Sequence, residues 1–191
     1  MISTDLSCRY KVKGNMFLVL FVVNTLGRIL APWMIFSHPI FAAIGAYFFD
    51  MFDGYFAYRS KFSWRTYHRF DKLFDLYWYF FIVLYGWHTG NKEVFVLLFL
   101  YRFIGQFLSI AFLKERYLMF FPDILEHFFY LHLIFTLVPA WTFLLSGFWQ
   151  ILVIAFALVI ALWRERFILS KHKTTGERLF LLAPKWKRTL K

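Results

Sequence analysis

Asp50-Met51-Phe52-Asp53-Gly54-Tyr55-Phe56-Ala57-Tyr58-Arg59, followed after a basic turn by Asp71-Lys72-Leu73-Phe74-Asp75, is the stretch on which the chain's reading turns. Four of its eleven acidic residues lie here, between two strongly apolar runs. Carboxylates beside membrane-type segments are costly unless something compensates them. The rest of the chain reads as the scaffold that holds them.

Composition places that scaffold in a membrane. The 191 residues are 61% hydrophobic, with a mean hydropathy of +0.57. That is too apolar for an ordinary soluble domain. Cys8 is the single cysteine, which excludes an intrachain disulfide and a thiolate metal cluster. The apolar run from Met16 to Ile35 is long enough to span, so no cleaved leader is expected.

Six spans are expected, near residues 15–35, 40–58, 69–87, 93–113, 124–145 and 148–163. Each is close to the roughly 20 residues that cross a hydrocarbon core of about 30 Å as a helix. The runs are continuous rather than alternating, which argues against a barrel. Residues 1–14 read as a cytoplasmic arm or a short interfacial helix, and residues 164–191 as a basic C-terminal tail. Of 22 basic residues, 19 fall on one side: the arm, the 59–72 segment, Lys114 with Arg116, and the tail. This asymmetry puts both termini and the acidic stretch on the cytoplasmic side. The net charge of +11 is thereby explained by topology and membrane lipid, not by nucleic acid. The whole chain, 1–191, reads as one all-α integral membrane domain.

Asp50 and Asp53 are three apart and Asp71 and Asp75 four apart, so each pair shares a helix face. A connection of about a dozen residues lets the two helices lie antiparallel and brings the acidic faces together near their cytoplasmic ends. Four adjacent carboxylates would not all stay ionised unaided. An oxygen-only ligand set suits Mg²⁺, Mn²⁺ or Ca²⁺ rather than zinc. Two divalent ions would balance four negative charges, and two-metal sites commonly serve phosphoryl displacement. Gly54 and Ala57 would let a bulky anionic ligand approach the backbone, or would serve close helix packing. Paired interfacial aspartates, held by Arg59, Arg65, Arg69 or Lys72, are the purely structural alternative.

At these residues the chain resembles the CDP-alcohol phosphatidyltransferase family, whose motif is D-x-x-D-G-x-x-A-R-x8-G-x3-D-x3-D. Asp50, Asp53, Gly54, Ala57, Asp71 and Asp75 match it, with the right distance between the halves. Thr25-Leu26-Gly27-Arg28 and Pro32 resemble a pattern common in the family's first transmembrane helix. Two positions depart: Tyr58 stands where the family has Arg, with Arg59 one residue later, and Tyr67 stands where it has its second Gly. A one-residue shift turns a helical side chain by about 100°. The resemblance implies transfer of a phosphatidyl group from a CDP-linked lipid to an acceptor alcohol, with release of CMP. It implies Mg²⁺ or Mn²⁺, two ions, on Asp50, Asp53 and Asp71, with Asp75 as general base and a contact to the second metal. It also implies substrate contacts from Gly54, Ala57 and Arg59, and a homodimer.

Arg28, inside the first span, can contact a phosphate or pair with an aspartate. Arg102, inside the fourth, can line an acceptor pocket or pair within the bundle. Glu126, His127 and His132 open the fifth span, where interfacial packing is the simpler role and a metal or proton relay the alternative. Two rival functions remain: a family member that binds lipid or nucleotide without turnover, and a small cation transporter with an acidic site.

Overall fold

The computed structural model describes residues 3–171, and every element among them is helical. Six α-helices run in order: α1 Ser3–Leu30, α2 Pro39–Arg59, α3 Trp64–His88, α4 Lys92–Phe112, α5 Ile124–Leu137 and α6 Gly147–Lys171. Three 3-10 segments intervene, at Ala31–Phe36, Glu115–Met119 and Pro139–Leu145.

Four stretches are long and apolar enough to cross a membrane: Met16–Phe36, Pro39–Arg59, Lys92–Phe112 and Gly147–Arg166. Their outer faces carry large exposed apolar side chains, among them Val19, Phe41, Leu97, Phe107, Ile151 and Trp163. This is the surface of an all-α membrane protein, since an apolar helix face left uncovered needs an apolar surrounding. The other two expected spans differ from these four. The long α3 is unbroken, but Arg65, Arg69, Asp71, Lys72 and Asp75 make its first half polar. The segment expected at 124–145 is divided, with α5 only 14 residues long and a 3-10 segment beginning at Pro139. Proline has no N–H to continue the helical ladder.

Two boundaries fall elsewhere than the sequence suggests. The arm at 1–14 is not a separate element, because α1 runs unbroken from Ser3 into the apolar run. The dozen-residue connection between the acidic helices is only four residues, 60–63. Ser63 caps α3, its hydroxyl accepting from the Thr66 N–H at 3.2 Å. Lys61 adopts a left-handed φ of 63° to make the turn. Arg65, Arg69 and Lys72 therefore lie on α3 rather than in a loop. Of the basic tail, residues 172–191 lie outside the described residues.

The helices pack as neighbours in sequence, α1 on α2, α3 on α4 and α5 on α6, with α5 also touching α2, α3 and α4. The core is aromatic: Trp78, Tyr85, Phe95, Phe128 and Phe129 are buried around Ile82 and Leu125. Close approach of α1 to α2 is set at Gly27, where a Cβ would overlap the Phe49 ring. The Asn24 amide donates to the Phe49 carbonyl at 2.9 Å across the same contact. This contact sets Arg28 opposite the acidic turn of α2.

Candidate metal and phosphate site

The four aspartates converge as their spacing requires, and they converge on Arg28. Its guanidinium reaches Asp50 at 3.1 Å, Asp71 at 3.4 Å and Asp75 at 3.1 Å, and it also contacts Asp53. Lys72 reaches Asp71 at 2.8 Å and Asp75 at 3.0 Å. Arg28 and Asp53 are buried, Asp71 and Asp75 mostly so, and the Asp50 side chain is 44% exposed. Arg28 further lies 5.2 Å from the centre of the Phe74 ring, a favourable cation–π contact. Both roles open to Arg28 remain compatible with this position, since its partners are the aspartates themselves.

One carboxylate oxygen each from Asp50, Asp53 and Asp71 lies within 4.8 Å of the other two. Asp75 stands beside this group of three, held by Arg28, Lys72 and the Gln106 amide, which donates to it at 3.1 Å. Counting charges changes the metal arithmetic. Four carboxylates against Arg28 and Lys72 leave the cluster at −2, not −4. One divalent ion balances it, and a second needs an anionic ligand beside it. The three-carboxylate, all-oxygen donor set suits a hard divalent cation.

On α3 the acids lie farther from the helix start than expected, because the helix begins at Trp64 and Asp71 and Asp75 are its eighth and twelfth residues. The α2 helix ends at Arg59, next to its expected end, with Asp50 the twelfth of its 21 residues. A shallow cleft opens beside Asp53 and Asp71, also lined by Thr25, Arg28, Tyr67, Phe70 and Phe74, with about 210 Å³ of space including its mouth.

Tyr67 stands between the two halves of the acidic stretch and joins it. Its hydroxyl donates to Asp53 at 2.8 Å. A Cβ on Gly54 would lie 2.9 Å from that hydroxyl. The absent side chain at Gly54 thus makes room for the phenol. Ala57 is fully buried between helices. Arg59 does not join the cluster: its guanidinium lies over the Phe17 and Tyr55 rings, 5.5 and 5.4 Å from their centres.

A second polar cluster lies between α4, α5 and α6. Arg102 donates to the Phe121 carbonyl and reaches Glu165 at 3.3 Å and Asp123 at 3.9 Å. Arg164 reaches Glu126 at 3.4 Å and Asp123 at 3.9 Å. Asp123 also accepts from Tyr79 at 2.7 Å and caps α5. Burial raises the Asp123 carboxyl, but Arg102 and Arg164 outweigh that and hold it below the usual carboxylate range. Glu126 bonds Tyr130 and Trp78, and the His127 ring meets the Asp123 carbonyl. His132 lies away from these, against Asn91.

Sequence reasoning passed over Gln106, Asp123, Arg164 and Glu165. The signals were present: a carboxamide one turn after Arg102 in an apolar run, an acid directly after Pro122 at a helix start, and an adjacent Arg-Glu pair at the end of α6.

The fold and site define a class: an all-α, membrane-type helical protein with a buried acidic cluster. No family model, curated protein or solved structure matches the chain.

Proposed function

We propose that the chain is a metal-dependent transferase of phospholipid synthesis. It moves a phosphatidyl group from a CDP-linked lipid, such as CDP-diacylglycerol, to an acceptor alcohol and releases CMP. One observation carries this reading. Asp50, Asp53 and Asp71 bring carboxylate oxygens within 4.8 Å of one another, with Asp75 beside them, in the spacing of the family motif.

In this reading Asp50, Asp53 and Asp71 hold a divalent cation, Mg²⁺ or Mn²⁺. Such an ion, when bound, polarises phosphate oxygens and neutralises developing charge. Arg28 and Lys72 lower the charge of the cluster so that a second ion is matched by the pyrophosphate of the donor. The shallow cleft seats that pyrophosphate at its mouth, with the acyl chains in lipid. The acceptor oxygen bonds to the β-phosphorus in line. The bond to the bridging oxygen breaks, and CMP leaves with its electron pair. The proton of the acceptor passes to Asp75. An ionised carboxylate offers about four lone-pair sites. Arg28, Lys72 and Gln106 occupy three on Asp75, which leaves one for the incoming hydroxyl. A positioned base of this kind contributes about 10²–10⁴ in rate. Six spans, a cytoplasmic site and a homodimer complete the reading, on the charge asymmetry and the family resemblance.

Two observations favour rivals. Tyr67 occupies part of Asp53 and the space at Gly54, which favours a lipid-binding member without turnover. The gathering of Asp50, Asp53 and Asp71 between membrane-type helices favours a cation path, although Arg28 fills the centre of the carboxylates. Purified protein, CDP-diacylglycerol, Mg²⁺ or Mn²⁺ and a panel of acceptors decide among them. Metal-dependent CMP release that Asp75→Asn abolishes, with folded protein retained, supports the transferase. Full activity of that variant removes Asp75 from its role. Cation flux in liposomes without lipid substrate supports the transporter.

A further inference from the structure

Gln106 is fully buried on α4, one turn after Arg102 and three residues before Ser109, on the helix face turned to α3. Its amide nitrogen donates to Asp75 Oδ2 at 3.1 Å. That bond fixes the orientation of the carboxamide, because the reverse would set its oxygen against a carboxylate. The oxygen, Oε1, is buried and accepts no hydrogen bond. A buried acceptor left unmade is costly, about 1–3 kcal/mol on general grounds. The Arg102 Nε–H, one turn earlier on the same face, is buried and also makes no hydrogen bond. The unsatisfied acceptor beside the proposed base is complementary to a hydroxyl group, which can donate to it, whereas the Arg102 donor belongs to the cluster with Asp123 and Glu165.

We infer that Gln106 orients the acceptor alcohol, its Oε1 taking a hydrogen bond from a second donor group next to the hydroxyl that reacts at Asp75. The acceptor class is therefore one with neighbouring hydroxyls. Arg102 and Arg164 are both engaged by Asp123, Glu126 and Glu165, so this interior offers hydroxyl recognition rather than a free cation for a phosphorylated acceptor. The inference rests on the transferase reading and names a residue that the family motif does not contain.

The test is steady-state CMP release from CDP-diacylglycerol with Mn²⁺, comparing glycerol, inositol, glycerol phosphate and ethanol. Wild-type protein should use a neutral polyol, and ethanol, with no second donor, far less well. Gln106→Met keeps the volume and removes both hydrogen bonds. It should raise the polyol KM about tenfold, the effect of one lost hydrogen bond, and also lower kcat through the lost donor to Asp75. The KM for CDP-diacylglycerol and the Mn²⁺ affinity read by paramagnetic resonance should not move. Gln106→Glu keeps the acceptor oxygens but loses the donor to Asp75, so kcat should fall with polyol KM held within about threefold. It also serves if the methionine variant fails to fold. Wild-type turnover with an unchanged polyol KM in Gln106→Met, or with ethanol or glycerol phosphate preferred to both polyols, overturns the inference alone. Absence of CMP release from wild-type protein with every acceptor overturns the transferase reading and this inference together.

Discussion

Arg28→Met removes the cation that touches all four aspartates while keeping an unbranched side chain of similar reach. At 3.1 Å and an effective dielectric of 20, each of its closest pairs is worth about 5 kcal/mol in Coulomb terms. Desolvation of the buried guanidinium offsets much of that, and removing one partner of a buried pair costs about 3–5 kcal/mol net. The cluster moves from −2 to −3. At about 2–4 °C per kcal/mol for a chain of this size, Tm in detergent with EDTA should fall by roughly 6–20 °C. A divalent ion on Asp50, Asp53 and Asp71 replaces the missing charge. At a Mn²⁺ concentration about 100 times the wild-type Kd, wild type should gain about 2.7 kcal/mol and the variant, with its more negative and tighter site, more. The assay is thermal unfolding of both proteins with EDTA and across a Mn²⁺ series. An unchanged Tm in EDTA would refute Arg28 as the counter-ion of the cluster. A variant that loses stability but gains none from Mn²⁺ would refute the metal site.

Gly54→Ala sets a Cβ 2.9 Å from the Tyr67 hydroxyl and should disturb its bond to Asp53. In a Tyr67→Phe background the same change should be stabilising by about 1 kcal/mol, the helix-propensity gain of alanine over glycine. A double-mutant cycle should show coupling of about 1 kcal/mol, and strict additivity would show that the phenol does not occupy that space. Asp123 has a depressed folded value, so its contribution is fully present above the ordinary carboxylate range and is lost as pH falls through the folded value. The Tm difference between wild type and Asp123→Asn should therefore be largest near neutrality and shrink below about pH 4, the ordinary aspartate value. A difference that grows on acidification would reverse the assigned sign.

The sequence alone determined the parts that depend on local spacing. Helical periods of three and four put Asp50 with Asp53 and Asp71 with Asp75 on shared faces, and long apolar runs required helices with lipid-type surfaces. It also set Tyr58 and Tyr67 apart from the family motif that the stretch resembles. Span number was less legible, because length and hydropathy do not reveal how Pro139 divides one apolar run or that α3 starts at Trp64 and so takes Arg65, Arg69, Asp71, Lys72 and Asp75 into its first half. Only the tertiary structure decided what stands among the carboxylates. Arg28 is 22 residues before Asp50, and nothing in its local sequence says that the Gly27 contact with Phe49 delivers it to their centre. The same holds for Gln106, whose carboxamide reads as an isolated polar residue in α4 until α3 brings Asp75 against it. Electrostatic partners in a low-dielectric interior are chosen by distance in space, not along the chain, and so the charge of this site became known only when α1, α2 and α3 were packed together.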